Sequence, residues 1–201
     1  MRDKLEIIEV KQIPSLKYLY AYEIRYLNRK GEEKIWELVS RKGIDRLEDE
    51  IYRHEKYSDG TMIVATTQDK TQTVMIREYR VSAGQFIYMF PAGLSDPNEN
   101  IEITSKREFL EETGMVFELK AASNARYTSV GIINEKVEIA YGYFSGTPNS
   151  SYQTEDELIE VVMVDRTLAM HILENEEISI RSALILENLF KLNPFINEVE
   201  S

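Results

Sequence analysis

The chain has 201 residues, with 24 Lys and Arg against 35 Asp and Glu, 2 His and no Cys, giving a formal charge of −11. That length suits one ordinary domain, or one with a small appendage, and a hydrophobic share of 43% is enough to build a core. The acidic balance argues against a nucleic acid held by phosphate attraction, and without Cys there is no disulfide framework, thiolate metal site or Cys nucleophile.

The first ten residues alternate charged and apolar side chains and hold no apolar h-region, so no signal peptide is expected. Nowhere do ~18 apolar residues run together, so no membrane span is expected, and the expectation is a cytoplasmic protein. Residues 5–13, 16–27 and 34–41 read as strands, the last two joined by a turn at Asn28-Arg29-Lys30-Gly31. Such a three-stranded unit has a face to bury and needs a surface to cover it. Apolar residues at 44, 47 and 51 have helical spacing, and a polar break follows at 57–60. The segment 43–60 reads as an inserted helix or a linker.

Strand patterns resume at 61–66, 71–79 and 85–90. A turn-rich stretch from Gly93 leads into a helix over 101–113, which Gly114 should stop in a C-cap role. Further strands are expected at 121–127, 137–144 and 160–164, and helices at 167–174 and 178–192. The order is that of a mixed α+β protein.

Three carboxylates on the central helix, Glu108, Glu111 and Glu112, stand at i, i+3 and i+4 and span only about 100° of its circumference. They repel one another, and Glu111 and Glu112 fall in the last turn, where the helix dipole disfavours anions. Cations would relieve this strain, and hard divalent ions such as Mg²⁺ or Mn²⁺ favour such oxygen ligands. A calcium loop beginning at Asp96-x-Asn98-x-Asn100 is excluded, because its sixth and twelfth positions hold Ile101 and Arg107 where Gly and Glu are required.

The stretch from Gly93 to Met115 fits Gly-x5-Glu-x7-Arg-Glu-U-x-Glu-Glu-x-Gly-U, with U a bulky apolar residue. The match holds at Gly93, Glu99, Arg107, Glu108, Phe109, Glu111, Glu112, Gly114 and Met115. This resembles the Nudix box, the signature of the Nudix hydrolases. The resemblance implies a Nudix α/β/α sandwich, here with an N-terminal three-stranded antiparallel sheet, and the box as a loop–helix–loop. It implies Glu108 and Glu112 as the main metal ligands, Glu111 as a further ligand and catalytic carboxylate, and Ala92 as a backbone-carbonyl ligand. Arg107 and Glu99 match a pair that orders the loop, and Phe109 and Met115 are expected in the core.

Outside the box the chain looks like the ADP-ribose pyrophosphatase branch of that family. Arg77-Glu78-Tyr79-Arg80 and Phe90-Pro91-Ala92-Gly93-Leu94 resemble its strand and the lead-in to its box. Trp36-Glu37-x-Val39-x-Arg41 resembles the strand whose Trp stacks on adenine and whose Arg assists. Glu155-Asp156-Glu157-Leu158-Ile159-Glu160-Val161 resembles the acidic loop that supplies a late catalytic glutamate, here Glu157, with Glu155 as the fallback. Two positions depart from the branch pattern, Met89 and Val130, and both lie near the substrate in that branch.

The resemblance implies a metal-dependent pyrophosphatase of a nucleoside diphosphate sugar, ADP-ribose first, with Arg80, Arg41 and Trp36 binding substrate. GDP-mannose, a dinucleoside polyphosphate or NADH are alternative substrates, and a non-catalytic nucleotide-sensing module is the other alternative. The branch is typically a homodimer, which implies a dimerising and substrate-binding sheet at 1–42, a connection at 43–60 and a catalytic domain at 61–201. Taken singly, Trp36 reads as a packing residue and Arg80 as a surface charge. His54 and His171 match no motif and are assigned surface or packing roles. Residues 96–118 carry seven acids against Lys106 and Arg107, and 155–160 carry four more with no base, so the chain's negative charge concentrates on the metal helix and the acidic loop.

Overall fold

The computed structural model describes residues 6–12, 16–154 and 157–192. Strands β1 (Glu6–Gln12), β2 (Tyr20–Leu27) and β3 (Glu33–Ser40) precede helix α1 (Ile44–Glu48), which continues as one π-helical stretch, Asp49–Arg53. Next come β4 (Gly60–Thr66), β5 (Gln72–Arg80), β6 (Gln85–Met89), β7 (Ala92–Leu94) and helix α2 (Ile101–Thr113). Strands β8 (Val116–Ala122), β9 (Arg126–Ser129), β10 (Ile133–Ser145) and β11 (Ile159–Asp165) follow, and α3 (Arg166–Asn175) and α4 (Ile180–Leu189) come last. The protein is α+β and dominated by strands. Among the described residues no helix is long and apolar enough to cross a membrane. The chain divides into two compact units, Met1–Asp59 with Asn124–Val137, and Gly60–Ser123 with Glu138–Ser201.

In the first unit β1, β2 and β3 form the expected antiparallel meander, with Tyr22 opposite Leu38 and Ile24 opposite Trp36. The turn between β2 and β3 is closed by Asn28, whose Oδ1 accepts from the backbone N–H of Lys30 and Glu32 while Gly31 takes a φ of 83°. The sheet does not stand alone. Leu47 packs with Tyr22, Ile24 and Leu38, joined by Ile44 and Ile51, so the segment that sequence left as helix or linker covers one sheet face within its own unit. Arg46 anchors that segment by pairing with Glu50 at 2.9 Å and with Asp59 at 3.0 Å, its guanidinium lying over the Tyr57 ring. The β9–β10 hairpin extends the unit, pairing in parallel with β3 at Ile133 and Val39, and Asn134 donates to Glu50.

The second unit is an α/β/α sandwich, and β4 shows why. All seven of its residues are buried, because both faces of the strand are covered. Ile63 and Ala65 face Phe109 of α2, together with Val74, Met115 and Phe117. Met62 and Val64 face Ala169 and Ile172 of α3 and Leu186 of α4, together with Met75 and Phe90. Phe109 and Met115 are fully buried, as expected of the apolar box positions, and truncating such a phenylalanine to alanine costs about 3–5 kcal/mol.

Several element boundaries differ from the sequence reading. The expected strand at 121–127 is two strands, β8 and β9, because the chain leaves the ladder at Ser123, whose hydroxyl accepts from Ile139 N–H. The strand expected at 137–144 begins at Ile133, where it forms the hairpin with β9. The final helix starts at Ile180, with Ser179 as N-cap, because Ile178 is engaged in a bridge with Tyr88. His54 sits exposed at the left-handed end of the π-helical stretch, and His171 is an exposed side chain 4.0 Å from Glu176.

Candidate active site

The box begins on β7, which pairs antiparallel with β4 through Ala92 opposite Met62 and Gly93 opposite Thr61. The lead-in is fixed from both sides. Phe90 N–H donates to Ser182 Oγ on α4, and Ile63 N–H donates to Pro91 O. Helix α2 then opens on Asn100, whose side chain accepts from Ile103 N–H, and ends at Gly114, with a φ of 71°. Left-handed backbone at that position favours glycine, as the C-cap reading required.

The loop between β7 and α2 is organised by one carboxylate. Glu99 accepts from both Nε and Nη2 of Arg107 at 2.9 Å, from Thr104 Oγ1 at 2.9 Å and from Asp96 N–H at 3.1 Å. The Arg107 bonds, seconded by the Asp96 N–H, hold its pKa down to about 2. Arg107 also donates to Leu94 O, Glu108 and Glu111. The guanidinium is thus the hub that lets three neighbouring carboxylates and a loop carbonyl share one cation.

The expected ligands face differing environments. Glu111 is half exposed and touches Arg107 at 3.1 Å. Glu108 is mostly buried, and desolvation raises its pKa against the opposing pull of Arg107. Glu112 is 8% exposed and is the most strained group of the set. Its pKa is raised well above the usual carboxylate value, first by burial, then by the charges of Glu108, Glu78 and Glu157; the counteracting contact is Ala92 N–H, at 3.1 Å.

Glu157 lies on the exposed segment before β11. Its Oε2 accepts from Thr154 Oγ1 at 3.2 Å, and its charge is felt at both Glu108 and Glu112. The fallback, Glu155, lies outside the described residues. Arg80 ends β5 and donates to Glu78 Oε1 at 2.7 Å. Glu78, to which no motif assigns a role, is a largely buried carboxylate that acts on Glu112. The signal was present in strand alternation: Glu78 shares a face with Ile76 and Arg80 at the end of an apolar run.

Trp36 and Arg41 belong to the first unit. The Trp36 ring is 48% exposed, the sole Trp of the chain lying on a stretch of β3 where Glu33 to Glu37 are all exposed. Arg41 pairs with Glu135 at 2.5 Å.

Among the described residues no three acidic or histidine side chains converge on one point as a finished metal cage. The reason is visible in the hydrogen bonds, since Arg107 draws Glu108 and Glu111 while Ala92 N–H engages Glu112. The donor chemistry nevertheless fits a hard divalent cation. It offers carboxylate oxygens, one of them buried among other acids, and a cation removes that repulsion.

Comparison with known proteins agrees with this construction. The NUDIX domain family model matches residues 56–184. The ADP-ribose pyrophosphatase of Bacillus subtilis (strain 168) is 29% identical over 130 residues, covering 64% of this chain and 68% of that protein. The GDP-mannose pyrophosphatase of Escherichia coli O157:H7 is 27% identical over 168 residues, covering 77% and 86%. A crystal structure of an ADP compounds hydrolase superposes with a TM-score of 0.68 at 20% identity, covering 92% of this chain and 93% of that one, which shows a shared fold. With its box built as described and a family match over most of its length, the chain belongs to the Nudix family and is a Nudix hydrolase.

Proposed function

We propose that the protein is a divalent-metal-dependent pyrophosphatase of a nucleoside diphosphate sugar, cleaving ADP-ribose to AMP and ribose 5-phosphate. The observation that carries the reading is the Glu112 carboxylate, buried beside Glu108, Glu78 and Glu157. Burying an acid among acids costs stability, and a cation-dependent site for phosphate chemistry makes use of it. The substrate class is supported by relatives named for ADP-ribose and GDP-mannose, both nucleoside diphosphate sugars.

In this reading Mg²⁺ or Mn²⁺ would be held by Glu108, Glu111, Glu112 and the Ala92 carbonyl, and when bound it supplies charge neutralisation and Lewis acidity to the diphosphate. Glu157 orients the attacking water and takes its proton, with Glu111 assisting as a second carboxylate. Arg80, at the end of β5, offsets phosphate charge, and Glu78 holds its guanidinium. Trp36 offers an exposed indole for stacking on the base, and Arg41, paired with Glu135, a cation for the substrate. Residues 61–201 form the catalytic domain, and the sheet at 1–42 serves substrate binding and homodimerisation. Exposed Ile35 and Trp36 on β3 support that role for the sheet.

A panel of ADP-ribose, GDP-mannose, a dinucleoside polyphosphate and NADH, each with Mg²⁺, tests the proposal through phosphatase-coupled phosphate release. ADP-ribose should be hydrolysed fastest, with AMP as product. Preference for GDP-mannose would move the substrate within the same class. Tight ADP-ribose binding without metal-dependent hydrolysis of any member would replace the enzyme reading with a nucleotide sensor.

A further inference from the structure

The last turn of α2 leaves backbone carbonyls that no later turn of the helix can satisfy. Two of them are met from elsewhere in the chain. Gln153 Nε2 donates to Glu112 O at 2.7 Å, and Asn149 N–H donates to Thr113 O at 3.0 Å. Asn149 Nδ2 donates to Gly114 O at 3.0 Å, and it packs so closely that a Cβ on Gly114 would stand 2.3 Å from that nitrogen. These donors meet the negative end of the helix dipole in the turn that carries Glu111 and Glu112.

The same segment leads directly to Glu157. Gln153 N–H donates to Ser150 O and Ser151 N–H to Asn149 Oδ1, which makes 149–153 a closed turn rather than a loose strap. Thr154 then holds Glu157 twice, its hydroxyl donating to Oε2 at 3.2 Å and its carbonyl accepting from Glu157 N–H at 3.4 Å. Beyond Glu157 the chain is fixed again, since Leu158 O accepts from Tyr79 N–H and Ile159 pairs with Glu78. Glu157 therefore stands between two anchors, one on the ligand helix and one on β5.

We infer that Gln153 is a positioning residue that, by clamping the chain ahead of Glu157 onto the Glu112 carbonyl, sets where the Glu157 carboxylate stands relative to the metal-ligand face of α2. This rests on the reading of Glu157 as the carboxylate that handles water. A residue that only caps the helix would change stability. A residue that positions Glu157 changes turnover, and does so only while Glu157 is there to be positioned.

The test is a double-mutant cycle of kcat with ADP-ribose and Mg²⁺ at saturation, or with GDP-mannose where that turns over faster. Gln153→Glu keeps the side chain's shape but removes its donor, and Gln153→Ala removes its reach; thermal melts establish that each is folded. Glu157→Gln should lower kcat by about 10²–10⁴-fold, the usual range for a lost general base. Each Gln153 variant should lower kcat by roughly 10–100-fold with KM within about twofold, as expected when a reacting group is misplaced. In the Glu157→Gln background the Gln153 variants should have no further effect. Normal kcat in both Gln153 variants, or a loss that multiplies with that of Glu157→Gln, overturns the inference. Normal turnover in Glu157→Gln instead overturns the role of Glu157 itself, and the positioning role falls with it.

Discussion

The carboxylate of Glu108 occupies the space where a side chain on Gly93 would begin: a Cβ built on Gly93 stands 1.8 Å from Glu108 Cδ. The box glycine and the box glutamate, far apart in sequence, are therefore two halves of one fit. Gly93 is needed for close approach and not for unusual backbone, since it is absent from the residues with positive φ.

Gly93→Ala should accordingly displace the Glu108 carboxylate while sparing the fold, because the clashing atoms are the far end of a flexible side chain. We expect a kcat loss of about 10²-fold, the scale of a ligand misplaced by about 1 Å, with little change in Tm. Gly60→Ala is the contrast, since its Cβ would stand 2.3 Å from the backbone carbonyl oxygen of Gly93 and cannot be relieved by side-chain rotation. A Gly93→Ala protein that melts lower than Gly60→Ala would refute the distinction.

Glu112→Gln should abolish turnover and, without metal, stabilise the protein. The folded state raises the pKa of Glu112, so the fold binds that proton more tightly than the unfolded chain does. Stability of the metal-free protein should then fall as pH rises above the unfolded value of about 4.5 and level off beyond the folded pKa. Each kcal/mol relieved by the neutral amide should raise Tm by about 2–4 °C. Melts with and without Mg²⁺ at pH 7.5 check this: the ion should stabilise the wild type much more than the variant. Equal stabilisation of both would remove Glu112 from the metal site.

Glu99 behaves in the opposite sense. Its folded pKa is depressed to about 2, so the Arg107 contact contributes fully above the unfolded value near 4.5 and is lost as pH falls toward 2. Carboxyl NMR of Glu99 should show a midpoint near 2 in the wild type and a clearly higher one in Arg107→Gln, where only the Asp96 N–H and the Thr104 hydroxyl still favour the carboxylate. A wild-type midpoint near 4.5 would mean that Arg107 does not organise the loop in solution.

Trp36→Ala should raise KM for ADP-ribose by roughly 10-fold or more, at about 1–3 kcal/mol for one base stacked on an aromatic ring, with kcat nearly unchanged. The exposed ring makes a large loss of stability unexpected. Unchanged KM in a folded variant would return Trp36 to a packing role.

What the sequence determined by itself was whatever is written in local spacing. The i, i+3, i+4 carboxylates, the Arg107 and Glu99 separation and the Gly114 stop are all set within a helix and its flanking turns, so they were legible without a fold. The β2–β3 turn was legible for the same reason. Strand ends at Ser123 and Ile133 were not, because they depend on which partner a strand finds. The segment 43–60 stayed opaque because its purpose is packing: Leu47 is apolar in a way that any linker helix could be, until Tyr22 and Leu38 are seen against it.

Only the tertiary structure decided the environment of the carboxylates. Charge repulsion and desolvation act through space, so the effect of Glu78 and Glu157 on Glu112 and the burial of Glu112 have no signature in spacing along the chain. The bond from Gln153 to the Glu112 carbonyl joins residues 41 apart, and a lone glutamine in a polar loop gives no hint of it. Sequence placed Glu108, Glu111 and Glu112 on one helix face; the fold buried Glu112 among acids, gave Glu108 and Glu111 a shared arginine and tied the loop ahead of Glu157 to the same turn.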